Sequence, residues 1–415
     1  MVKNNKKKHM LFDISLIYIF VIYRMLNMFP NISVLYSINK YILFVSILVL
    51  VFVLRRCITI AYNLSNIIIL LNILYILCSA TVYYFICSHI PFGKSIEYFF
   101  REMLCILLPM ILYFPFQRLD YYLENRFYII FTVGILLSFV FGLVTVFYFG
   151  SSIFSQSYDV FGGIGRPGRF YSFYGPIVGV YFYVMLFNVV LYKKIKIGNK
   201  VSFVIYVLSV IGAILTFQRA AVYGIVFSMV VYMVLNRSNI KINNIIFVCL
   251  AVFTLFILLI FYTKIINRYF RYDLLLKLFQ SFISEGSLKN GLADRIDQWQ
   301  FNFLNIFTFV FGEGIGKYSS NNLDAQFTQS DAAYVRIFNE MGVLGMGLFI
   351  TWWILVAYQQ LKKDKFIFVV IVWTLLAFGV NRVLWYTPVG FWVYSVIGLG
   401  GNKTINERIE KTLCQ

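Results

Sequence analysis

Arg166 and Arg169 stand three residues apart in FGGIGRPGRFYSFYGP, residues 161–176, among five glycines and directly before a long apolar run. Arginine presents a planar fork that grips phosphate oxygens bidentately, and burial does not remove its charge. Glycines let backbone N–H groups approach the same oxygens. The chemistry that this pattern suits is the holding of a phosphate or diphosphate at a membrane edge. Arg219, at the turn of LTFQRAAVYG, is a third cation of this kind, and Arg295 in RIDQW is a fourth. The competing reading is that outer arginines reach lipid headgroups. Several of them near span ends, beside a glycine-rich loop, favour the ligand.

Other residues add possible roles. Arg336 and Glu340 stand at i,i+4 spacing within a span, where they can neutralise one another on one helix face. The run Gly312–Gly316, GEGIG, looks like a fragment of a nucleotide loop. It follows a helix rather than a strand and lacks a Lys-Ser/Thr pair, so a turn is expected. The six cysteines show no ligand spacing, and His9 and His89 are the only histidines. No metal site, disulfide or cofactor is expected.

The elements that must carry these residues are membrane helices. The chain of 415 residues is 61% hydrophobic and 13% charged, against roughly 25% charge in a soluble domain. The apolar runs lie at 11–29, 35–54, 64–88, 102–117, 127–149, 171–192, 201–217, 220–236, 245–262, 332–358, 366–383 and 385–400. By the twenty-residue criterion these predict about twelve spans. Lipid offers the backbone no partners, so the spans must be helices, and the lack of alternating polarity excludes a barrel. The fold class expected is an all-α polytopic membrane protein, with residues 1–415 as one integral membrane domain. No cleaved signal peptide is expected, because the first apolar run contains Asp13 and Arg24.

The net charge of +19 would suggest nucleic acid in a soluble protein. Here short-loop Lys and Arg, including Arg55, Arg56, Lys193, Lys194 and Lys362, set topology, and no nucleic-acid partner is expected. Both termini fall on the cytoplasmic side. Two longer loops, 150–170 and 263–331, fall on the outer side. The second contains two amphipathic stretches, 272–283 and 294–312, each predicted to be helical. The latter is expected to be capped by Asp294 and stopped by Gly312.

Taken in order, RPGRFYSFYGP, LTFQRAAVYG, RIDQW, FGEGIG and SDAAYVRIFNEMGVLG resemble the bacterial O-antigen polymerases of the Wzy type and the related O-antigen ligases, over residues of about 160 to 350. The resemblance implies a GT-C-like helical glycosyltransferase of the bacterial inner membrane, with a periplasmic active site. Its substrates would be undecaprenyl-diphosphate-linked glycans within membrane lipids, and a chain-length regulator and a flippase its further partners. Ligases of this kind usually carry a histidine directly before an Asn-x-Tyr. Here Asp331 and Ala332 stand at those places, which disfavours a ligase. In the site that the resemblance implies, Asp331 and then Glu313 are the candidates for a general base, with Tyr334 and Trp299 in support. A flippase or other transporter of the lipid-linked sugar is the rival class, but inverted repeats and midplane broken helices, its usual signs, are not seen in the sequence.

Overall fold

Apolar segments in lipid must bond their own backbone groups, and helices do so residue by residue. The computed structural model describes residues 2–23, 33–55, 63–88, 90–149, 175–215, 219–236, 305–318, 333–378 and 388–400, and among these it contains helices and no strand. In chain order the helices are α1 (Val2–Ile17), α2 (Ser33–Val53), α3 (Leu64–Val82), α4 (Phe92–Phe116), α5 (Tyr121–Phe149), α6 (Gly175–Leu191), α7 (Asn199–Leu215), α8 (Arg219–Leu235), α9 (Ile306–Phe311), α10 (Ala333–Lys363), α11 (Lys365–Phe378) and α12 (Pro388–Gly400). Among the described residues, four stretches are long and apolar enough to cross a membrane: Leu64–Cys87, Phe92–Phe116, Tyr121–Leu143 and Ala333–Lys363. The chain is an all-α, membrane-embedded protein.

Several boundaries differ from the sequence expectation. The helix expected from 102 begins at Phe92, because Lys94, Glu97 and Arg101 interrupt the apolar run but not the backbone ladder. Likewise α5 begins at Tyr121, six residues before the expected start. The helix expected over 294–312 does not run through Asn305, which is extended (φ −163, ψ 175). Its side chain accepts from the Thr308 N–H while Thr308 bonds back to the Asn305 N–H, a capping box that starts α9 afresh. Gly312 ends that helix, as expected. The span expected at 245–262 and the stretch 272–283 lie outside the described residues.

Two compact units can be distinguished. One combines Met1–Ile19, Ser37–Phe127 and Ala293–Gln415. Its interior is aromatic: Trp352 meets Tyr113 edge-on at 5.6 Å and Tyr394 at 5.5 Å. Gly398 of α12 lets that helix approach the Tyr113 carbonyl of α4, where a Cβ would lie 2.5 Å away. The other unit combines Phe20–Tyr36 and Tyr128–Leu292. There α6, α7 and α8 pack together. Gly212 of α7 faces the Tyr183 ring so closely that a Cβ would stand 2.5 Å from a ring carbon. The Asn188 amide donates to the Ser228 hydroxyl at 2.8 Å, joining α6 to α8. Arg219 opens α8, and residues 216–218, which lead into the turn expected at Gln218-Arg219, lie outside the described residues.

Candidate functional site

The site is built on a break in α10. Gly342 has φ 64 and ψ −171 inside an otherwise continuous helix, a region of backbone space that only glycine enters freely. The break separates carbonyls from the amides four residues on, and in an apolar bundle those carbonyls need other donors. The Glu313 N–H donates to the Asn339 carbonyl at 2.8 Å, and the Gly314 N–H to the Glu340 carbonyl at 3.1 Å. The Tyr75 hydroxyl lies 2.7 Å from the Met341 carbonyl and 2.8 Å from that of Phe311.

The donors come from the short segment after α9. Gly312, Gly314 and Gly316 all have positive φ, at 79, 100 and 101. A Cβ on Gly312 would strike the Glu340–Met341 peptide, one on Gly314 the side chain of Tyr83, and one on Gly316 the Tyr84 ring. The glycines thus let the segment lie against α10 on one side and α3 on the other. Tyr75 and Ser79 of α3, and Tyr83 at the start of the π-helix Tyr83–Cys87 that follows it, recur at four-residue spacing and form the receiving face, with the Ser79 hydroxyl accepting from the Ile315 N–H at 3.3 Å. The GEGIG run is therefore a docking turn. Its Glu313 and Gly314 amides are spent on α10 carbonyls rather than offered to an anion.

The same fold gathers five charges. Arg336 Nε donates to Glu340 Oε1 at 3.0 Å, the i,i+4 pair expected from the sequence. A further nitrogen of the guanidinium donates to Glu102 Oε2 of α4 at 3.2 Å. The three side chains are only 5%, 2% and 6% exposed for Arg336, Glu340 and Glu102. Tyr318 joins this group to the next: its N–H donates to Glu340 Oε1 at 3.2 Å, and its hydroxyl to Glu313. Glu313 is itself paired with Lys317 at 2.8 Å. Burial of charge on this scale is costly unless each charge is paired, and here every carboxylate has a cation.

Of the residues singled out in the sequence, the structure brings Glu313, Arg336 and Glu340 into one cluster. The Tyr334 hydroxyl bonds instead to the Leu375 carbonyl of α11 at 2.6 Å. Arg166, Arg169, Arg295, Trp299 and Asp331 lie outside the described residues, as does the side chain of Arg219. Glu102, Tyr75, Ser79 and Tyr318 were not legible as site residues. A lone acid in an apolar helix was the one available signal for Glu102.

Residues 201–350 match the family described as O-Antigen ligase. No curated protein matches the chain. The matched residues contain the break at Gly342 and the Arg336–Glu340 pair, and they leave out Glu102, Arg166 and Arg169.

Proposed function

We propose that the chain, whose residues 201–350 match the O-antigen ligase family, belongs to the O-antigen polymerase and ligase superfamily and is a surface-polysaccharide polymerase. It joins undecaprenyl-diphosphate-linked repeat units at the periplasmic face of a bacterial inner membrane. The family match carries the glycan-transfer reading, and Asp331 and Ala332, in place of the ligases' histidine and asparagine, carry the choice of polymerase. The acceptor hydroxyl attacks the anomeric carbon of the donor, the bond from that carbon to the diphosphate oxygen breaks, and undecaprenyl diphosphate leaves. The hydroxyl proton passes to a base, for which Asp331 is the first candidate and Glu313 the second. Arg166, Arg169, Arg219 and Arg295 bind the diphosphate and stabilise the charge that develops on it. Arg336, Glu340, Tyr334 and Trp299 support the site.

Transfer of a finished glycan to lipid A-core is the second reading, favoured by the family's description as a ligase. Against it stand Asp331 and Ala332, where ligases of the resembling group carry histidine and asparagine. The glycan profile of a deletion strain separates the two. Capping of lipid A-core by single repeats is expected for a polymerase, and loss of all polymer-bearing lipid A for a ligase. Complementation tests the arginines in the same strain. A gene with alanine at Arg166, Arg169 and Arg219 together is expected to leave the single-repeat profile at wild-type protein level. Each buried charge-assisted contact is worth about 1.5–3 kcal/mol, or roughly ten- to hundred-fold in rate. Wild-type polymer length and amount from the triple variant would remove the diphosphate role from these residues.

A further inference from the structure

Glu102 lies outside both the family-matched segment and the motifs that carry the resemblance, yet it takes one side of the Arg336 guanidinium. We infer that Glu102 is a positioning residue of the glycan-transfer site, acting through Arg336; the inference rests on the polymerase reading above.

The geometry sets the role. Glu340 is one turn from Arg336 on the same helix, and alone it holds only the Nε edge. Glu102 approaches a second nitrogen from a separate helix, α4, and fixes the plane of the fork. The fixed guanidinium in turn holds Glu340 Oε1, which also accepts from the Tyr318 N–H. Glu102 thereby ties α4 to the first turns of α10 and, through Glu340 Oε1, to the 312–318 segment. Asp331, the candidate base, precedes Arg336 by five residues in the sequence, and Glu313, the second candidate, lies in that segment. A displacement of about 1 Å at such a place costs far more in rate than in binding.

The charge balance makes this testable. Of the three side chains, two are carboxylates and one is a guanidinium, so Glu102→Gln leaves Arg336 paired with Glu340. The fold is expected to survive while the orientation is lost. The experiment uses the full-length protein in detergent, a purified lipid-diphosphate-linked repeat unit as substrate, and lengthening as the readout, with the thermal unfolding midpoint measured in parallel. For Glu102→Gln we expect kcat to fall roughly ten-fold or more, with KM within about two-fold and an unchanged midpoint. Glu102→Asp should recover much of the loss, because it keeps the charge. In an Arg336→Gln background, adding Glu102→Gln should lower kcat no further and should raise the unfolding midpoint, because it neutralises one of the two carboxylates left without the guanidinium. Wild-type kcat in Glu102→Gln would overturn the assignment, and so would full additivity with Arg336→Gln. Activity that merely tracks the folded fraction across all these variants would make Glu102 structural only. If the wild-type protein lengthens nothing, the polymerase reading fails and the inference falls with it; if the wild type lengthens and Glu102→Gln keeps pace, the role of Glu102 alone is lost.

Discussion

Arg336→Met is expected to destabilise the protein more than almost any other single side-chain change. It leaves Glu102 and Glu340 buried with no guanidinium between them. Removing one partner of a buried ionic group costs about 3–5 kcal/mol, because the remaining charge has neither water nor a counterion. That is a large part of the whole stability of a typical domain, about 5–15 kcal/mol. The expected readouts are a sharply lowered amount of protein in the membrane and a lowered unfolding midpoint in detergent. The origin of the loss is checked by neutralising the survivors. Arg336→Met combined with Glu102→Gln and Glu340→Gln should be more stable than Arg336→Met alone, although it has two further substitutions. A triple variant less stable than the single one would show that the charges are not the cause.

Gly342→Ala should have an effect of similar size for a different reason. Alanine at φ 64 and ψ −171 is strained, and its Cβ would meet the Val310 carbonyl and the Gly312 amide. Strain of this kind costs about 1–3 kcal/mol before any collision is counted. Relief by straightening α10 would return the Asn339 and Glu340 carbonyls to the helix and displace the Glu313 and Gly314 amides. Gly347, on the same helix, is the control, since a Cβ there meets nothing within 4 Å. We expect Gly347→Ala to leave level, midpoint and activity unchanged and Gly342→Ala to lower all three. Equal behaviour of the two variants would mean that the break does not hold the 312–318 segment.

What could be read from the sequence was what is periodic or local. Apolar run length announces a membrane helix, and the Arg336–Glu340 pair follows from i,i+4 spacing. Gly312 could be read as a stop because an apolar helical stretch ends there. What could not be read depends on contacts between residues distant in the chain. Glu102 stands in a stretch where Lys94, Glu97 and Arg101 look like one polar end of a span, and its partner is 234 residues away. Gly342 stands in the motif SDAAYVRIFNEMGVLG, but its φ is set by what docks against it. Tyr75 and Ser79 are ordinary in an apolar helix until the segment that they receive is in place. Asn305 was passed over because its cap sits inside a stretch with unbroken apolar spacing.

The central claim is that the chain itself joins lipid-linked repeats, and incubating the purified protein with a lipid-diphosphate-linked repeat unit tests it most directly. The chain lengths of the lipid-linked products are then read by mass. The account predicts a ladder of lengthened, lipid-linked oligosaccharides formed without any nucleotide sugar, together with release of the lipid diphosphate. A protein that leaves every repeat at its original length, yet moves it across the bilayer when placed in vesicles, would contradict the account and make the chain a transporter.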